Sequence, residues 1–127
     1  MKKLTPVIFV EAVEPCIAFW IDRLGFEKTI EVPEGDRIGF AAVSAGNVEV
    51  MYQSRASVAN DIPTLAEGPF HKSGGLFIEV SDLDAIKVKL EGADIIFPER
   101  TTFYGAREIA VRAPCGTAVI FAEMSQG

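Results

Sequence analysis

The chain has 127 residues, 49% of them hydrophobic and 24% charged, with a formal net charge of -6. That length and mix suit one compact globule, burying roughly 65–70% of its unfolded surface without staples. The acidic balance weighs against nucleic acid and anionic membranes, which need basic patches, and leaves room for a cationic ligand.

Residues 4–11, rich in β-branched and aromatic side chains, read as a first strand. A helix follows over residues 15–23. Pro15 suits its first turn, where a missing N–H has no partner to lose, and Glu14 favours the positive helix end. Ile17, Ile21 and Leu24 form its apolar stripe, with Phe19 and Trp20 alongside. Gly25 stops it. Strands follow at 26–32, 37–44 and 48–53, separated by turn compositions at Pro33-Glu34-Gly35-Asp36 and Ala45-Gly46-Asn47. Residues 54–74 hold Asn60-Asp61, Pro63, Gly68-Pro69 and Gly74 and read as an irregular linker, with room for a short helix around Thr64-Leu65-Ala66. A strand at 76–80 then precedes a helix at 83–90, capped by Ser81 or Asp82. Strands at 93–97, 108–112 and 117–123 complete the chain, the first two flanking a loop over 98–105.

The second half echoes the first. The strand, helix and stop of residues 5–26 return 70 positions later, and Ala45-Gly46-Asn47-Val48-Glu49-Val50-Met51 aligns with Cys115-Gly116-Thr117-Ala118-Val119-Ile120-Phe121 at the same offset. One offset over two separate segments points to a duplicated βαβββ unit. The repeats are placed at about 4–53 and 75–123. Together they make one α+β domain over residues 1–127, a curved mixed sheet with helices on its convex side.

Cys16 and Cys115 are the two cysteines. With no export signal after Met1-Lys2-Lys3, they are expected as free thiols in a cytoplasmic protein. No apolar run reaches membrane-span length.

Three runs resemble one family. They are Ala18-Phe19-Trp20 followed after three residues by Leu24-Gly25-Phe26, then Val80-Ser81-Asp82-Leu83-Asp84, and finally Tyr104-Gly105-Ala106-Arg107-Glu108 with Arg112-Ala113-Pro114-Cys115-Gly116. The first is close to an FY…LGF signature and the last to a YG…RDP.G ending, with Ala113 where aspartate is usual. The pattern is similar to the vicinal oxygen chelate superfamily, which includes glyoxalase I, extradiol dioxygenases and bleomycin-resistance proteins. Active members hold one divalent metal through four strands, and the resemblance places those positions at Thr5, Val50, Gly75 and Ile120. Three of these side chains carry no lone pair, and a lone threonine hydroxyl is a poor ligand. Glu49 alternates to the face opposite Val50. The single histidine, His71, falls in the linker beside Lys72 and reads as solvated. No spacing fixes a nucleophile beside it, and Cys115 reads as a turn residue. No metal site and no cofactor is expected.

What remains is an apolar and aromatic hollow. Alternation puts Thr5, Val7, Phe9, Val48, Val50, Tyr52, Gly75, Phe77, Ala118 and Ile120 on its side of the sheet. The repeat pairs Ile38, Phe40 and Ala42 with Glu108, Ala110 and Arg112. Phe103 and Tyr104 sit on a loop suited to a lid or stacking group. The ligand-binding set expected is Phe40, Val50, Tyr52, Phe77, Phe103, Tyr104, Glu108, Arg112 and Ile120. Apolar walls with a few fixed polar groups are what a small-molecule pocket requires. The resemblance then implies a metal-independent binder of the bleomycin-resistance kind, a homodimer sequestering a partly aromatic ligand with room for a positive charge. A glyoxalase-type lyase, isomerase or dioxygenase, and a dimeric domain without a small-molecule ligand, are the alternatives.

Overall fold

A computed structural model describes residues 2–70 and 74–125, and among them eight strands make two four-stranded sheets in an α+β fold. The chain divides into two compact units, residues 1–71 and 72–127. Both have βαβββ connectivity, as the repeat implies.

In the first unit the strands are β1 (Val7–Val10), β2 (Glu27–Glu34), β3 (Arg37–Ala45) and β4 (Val48–Ser54), ordered β1-β4-β3-β2. β1 runs parallel to β4, and the other pairs are antiparallel. The helix expected over 15–23 is two pieces, α1 (Glu14–Ala18) and a π-helical stretch, Phe19–Arg23. No side chain caps the start of α1. Instead the Glu14 carboxylate accepts from the Arg37 guanidinium at 3.1 Å and from the Ile38 backbone N–H at 3.0 Å, fastening α1 to the start of β3. The wider π turn carries Phe19 and Trp20, both buried. Trp20 Nε1 donates to the Tyr52 hydroxyl at 2.8 Å, and both side chains are sealed from solvent. Burial pushes the Tyr52 hydroxyl pKa up.

The stretch expected as linker is partly helical. α2 (Arg55–Asp61) begins directly after β4, with Ser54 as cap accepting from the Ser57 N–H at 3.2 Å, and a 3-10 turn follows at Pro63–Ala66. α2 carries a single buried residue, Val58, so no apolar stripe announces it. Arg55 holds the segment in place. Its guanidinium pairs with Glu11 at 2.7 Å, donates to the Ala66 and Gly68 carbonyls, and lies 3.9 Å from the centre of the Phe70 ring.

The second unit has β5 (Gly75–Glu79), β6 (Asp94–Thr101), β7 (Ala106–Arg112) and β8 (Ala118–Met124), ordered β5-β8-β7-β6. α3 (Leu83–Lys89) is capped by Asp82, which accepts from the Ala85 N–H at 3.1 Å. β6 does not stop at Phe97 but runs four residues further. Pro98 has no N–H for the ladder, and a register shift between Phe97 and Arg100 absorbs it. The loop expected over 98–105 shrinks to 102–105.

The expectation of free thiols is not met: among the described residues neither cysteine is free. Cys115 also takes a positive φ of 73°, unusual for a residue with a side chain. His71 lies outside the described residues. Among those described, no helix is long and apolar enough to cross a membrane.

Candidate ligand-binding site

Two parallel strand pairs decide which side chains share a face. Val7 pairs with Met51, 44 positions on, whereas Phe77 pairs with Ile120, 43 positions on. A one-residue difference in pairing turns every side chain of a strand over. In the first unit, Val7 and Phe9 therefore share a face with Met51 and Gln53. Phe40, which pairs with Gln53, joins them. Val50 and Tyr52 do not share that face, contrary to the expectation from the sequence. They lie on the opposite one, where Tyr52 meets Trp20 of the helical segment.

The same shift brings Glu49 beside Thr5. The Glu49 carboxylate accepts from the Thr5 hydroxyl at 3.2 Å and from the Lys3 ammonium at 2.7 Å. Lys3, chiefly, holds that carboxyl below its usual value. Glu49, not Val50, is thus the β4 residue at the place the resemblance assigned to a metal ligand. In the second unit Gly75 pairs with Ala118, and neither side chain has a donor atom. One carboxylate already bound to a lysine, and one hydroxyl, do not make up the four ligands that the resemblance implies. Among the described residues, no three His, Cys, Asp or Glu side chains gather as a metal site would require.

The face of the second sheet turned away from α3 is laid out in rows. One row reads Glu79, Ala122, Glu108, Arg100 across β5, β8, β7 and β6. The next reads Phe77, Ile120, Ala110, Phe97, and the third Gly75, Ala118, Arg112, Asp94. Arg107 and Glu123, of opposite parity, point to the α3 side, where Arg107 pairs with Asp84 and Glu123 accepts from the Leu83 N–H. The strand pairings put Phe77, Ile120, Glu108 and Arg112 on this one face of the sheet.

Glu108 is the central polar group, its side chain 2% exposed. A buried carboxylate must be fully hydrogen-bonded to be tolerated. Here Oε1 accepts from Arg100 Nε at 3.2 Å, and Oε2 accepts from the Tyr104 hydroxyl. That bond, before any other cause, raises the tyrosine pKa, so Tyr104 remains a donor at neutral pH. Arg100 also stacks its guanidinium 3.7 Å from the centre of the Phe97 ring. Around this core the surface is aromatic. Phe77 is 52% exposed, Tyr104 45%, and Phe103 wholly so, edge-on to Tyr104 at 5.2 Å between ring centres. Arg112 is turned elsewhere, donating to the Gly116 carbonyl at 2.8 Å. The arrangement offers flat apolar surface beside fixed hydrogen-bonding groups. Arg100 and Phe97 escaped the sequence reading because their shared face depends on the shift after Pro98, the one local signal that could have shown it.

The layout of paired βαβββ sheets is that of a known superfamily, and the sequence bears this out. Residues 4–121 match the model of the Glyoxalase/Bleomycin resistance protein/Dioxygenase superfamily, and the chain belongs to it. Among solved structures, it is similar to a bleomycin-binding protein from bleomycin-producing Streptomyces verticillus, solved in complex with copper(II)-bleomycin. That match is 26% identical, covers 99% of this chain and 98% of that one, and has a TM-score of 0.66. A lactoylglutathione lyase from Agrobacterium tumefaciens is 15% identical, with 97% and 94% of the chains covered and a TM-score of 0.73. A glyoxalase/bleomycin resistance protein/dioxygenase from Nocardioides is 21% identical, with 100% and 86% covered and a TM-score of 0.76. No curated protein matches the chain at a significant level.

Proposed function

We propose that the chain is a metal-independent binding protein that captures a small, partly aromatic molecule and works as a homodimer. The observation that carries this reading is the exposed aromatic surface around a buried, fully hydrogen-bonded Glu108, with no chelating set among the described residues. Likeness to a protein described as bleomycin-binding supports capture as the mode of action. The net charge of -6 favours a guest with some positive charge during encounter. The lyase alternative draws on Glu49 alone, and a Lewis-acid mechanism would need a metal that this residue could not hold unaided.

Thermal melting with bleomycin, with copper(II)-bleomycin, and with nickel or zinc ions alone separates the readings, because a ligand of the folded state raises the melting point. A rise with an aromatic compound and none with the bare ions is expected. Turnover of a glutathione hemithioacetal that depends on added metal would overturn the proposal. Light scattering should give about twice the chain mass of 13.8 kDa.

A further inference from the structure

We infer that Arg100 is an oxyanion anchor, so that the molecule bound on the second sheet carries a carboxylate or similar planar anion beside its aromatic part. The inference rests on the reading of this face as a ligand site and adds the chemistry the ligand must present.

Three observations converge on the guanidinium. Its Nε edge is pinned to Glu108, a carboxylate whose side chain is 2% exposed and therefore cannot follow Arg100 out into solvent. Its flat face rests on Phe97, 3.7 Å from the ring centre. The Arg100 side chain is nevertheless 55% exposed, and its two terminal nitrogens have no hydrogen-bond partner among the described residues. An arginine fixed along one edge and one face retains a single use for the remaining edge. It presents two parallel N–H donors in the fork that matches a carboxylate. Because the side chain is already held in place, little rotamer freedom is lost when an anion arrives.

Nearby charges do not cancel this. Glu108 offsets the charge of Arg100, so attraction comes from directed hydrogen bonds at short range. Glu79 ends the same row, three strand spacings from β6, about 14 Å away and beyond the screening length of about 8 Å. Tyr104, which shares Glu108 with Arg100, supplies an exposed ring for the aromatic part of the guest. The overall acidity and the local guanidinium are compatible in a zwitterion, with the first acting on approach and the second at contact.

The test uses three probes with one ring system: 2-naphthoate, its neutral amide 2-naphthamide, and the cation 2-naphthylmethylamine. Affinities are measured by calorimetry on the full chain. The carboxylate should bind about tenfold tighter than the amide, the usual worth of a charge-assisted pair. Arg100→Gln alone leaves Glu108 buried with one partner and can unfold the protein. The double variant Arg100→Gln/Glu108→Gln removes both charges and keeps an acceptor for Tyr104. In it the preference for the carboxylate over the amide should vanish. Equal affinities for carboxylate and amide in the unaltered protein, or a preference that survives the double variant, would overturn the anchor alone. Tightest binding of the cation would also overturn it. Binding of none of the three would overturn the ligand-site reading beneath it.

Discussion

At the scale of single residues, the most informative contact is the one between Trp20 and Tyr52. Each is fully buried and each carries a polar atom that must find a partner inside. They find each other, at 2.8 Å. Tyr52→Phe would keep the ring and strand the indole N–H, so the loss should be about 1–3 kcal/mol rather than a cavity-sized penalty. Urea denaturation should show a lower midpoint at unchanged slope. A variant as stable as the parent would mean that water reaches Trp20. The same pair explains why Tyr52 is poorly suited to meeting a ligand: its hydroxyl is committed to the helical segment.

At the scale of elements, the duplication was readable and its phase was not. Offset 70 aligned β4 with β8 as text, and strand lengths, caps and tight turns followed well: Asp82 caps α3, and Gly35 and Gly46 sit with positive φ in the hairpin turns. Yet the pairing of β1 with β4 differs from that of β5 with β8 by one residue, and that alone moved Val50 and Tyr52 away from the Val7 face and Glu49 towards it. Periodicity fixes alternation within a strand; which face is which depends on pairing with a distant strand. α2 was hidden for another reason. It is held by a cap, by Arg55 and by close approach to the sheet rather than by an apolar stripe. Gly39 marks that approach, since a Cβ there would stand 2.7 Å from Glu34 Cβ and 3.1 Å from Ser57 Cβ. Neither atom is the end of a flexible chain, so Gly39→Ala should cost about 1–3 kcal/mol. A loss below about 0.5 kcal/mol in the same denaturation assay would show that α2 is free to shift.

At the scale of the whole molecule, the acidic chain places several carboxylates where cations hold them. Arg37 keeps the Glu14 carboxyl at about 2, and Arg107 with Lys87 keeps Glu99 at about 2; Arg55 and Lys3 lower Glu11 and Glu49. Within their units these pairs tie α1 to β3, α3 to β6 and the start of α2 to the chain after β1. Each folded value lies below the ordinary 4.5, so the unfolded chain binds protons first as pH falls. The stabilisation is therefore complete above about 4.5 and is lost as pH drops towards 2. The pairs are partly exposed, so salt screens them and each shifts the melting point by a few degrees at most. Protonation also relieves the repulsion of a chain at -6, an opposing effect that is spread over all carboxylates and tied to no pair. Melting curves from pH 7 to pH 2 on the parent and on Glu14→Gln/Glu99→Gln separate the two. The double variant should melt lower than the parent at pH 7 and converge with it near pH 2, with less of a gap in high salt. Parallel curves over the whole range would show that these ties do not hold the fold.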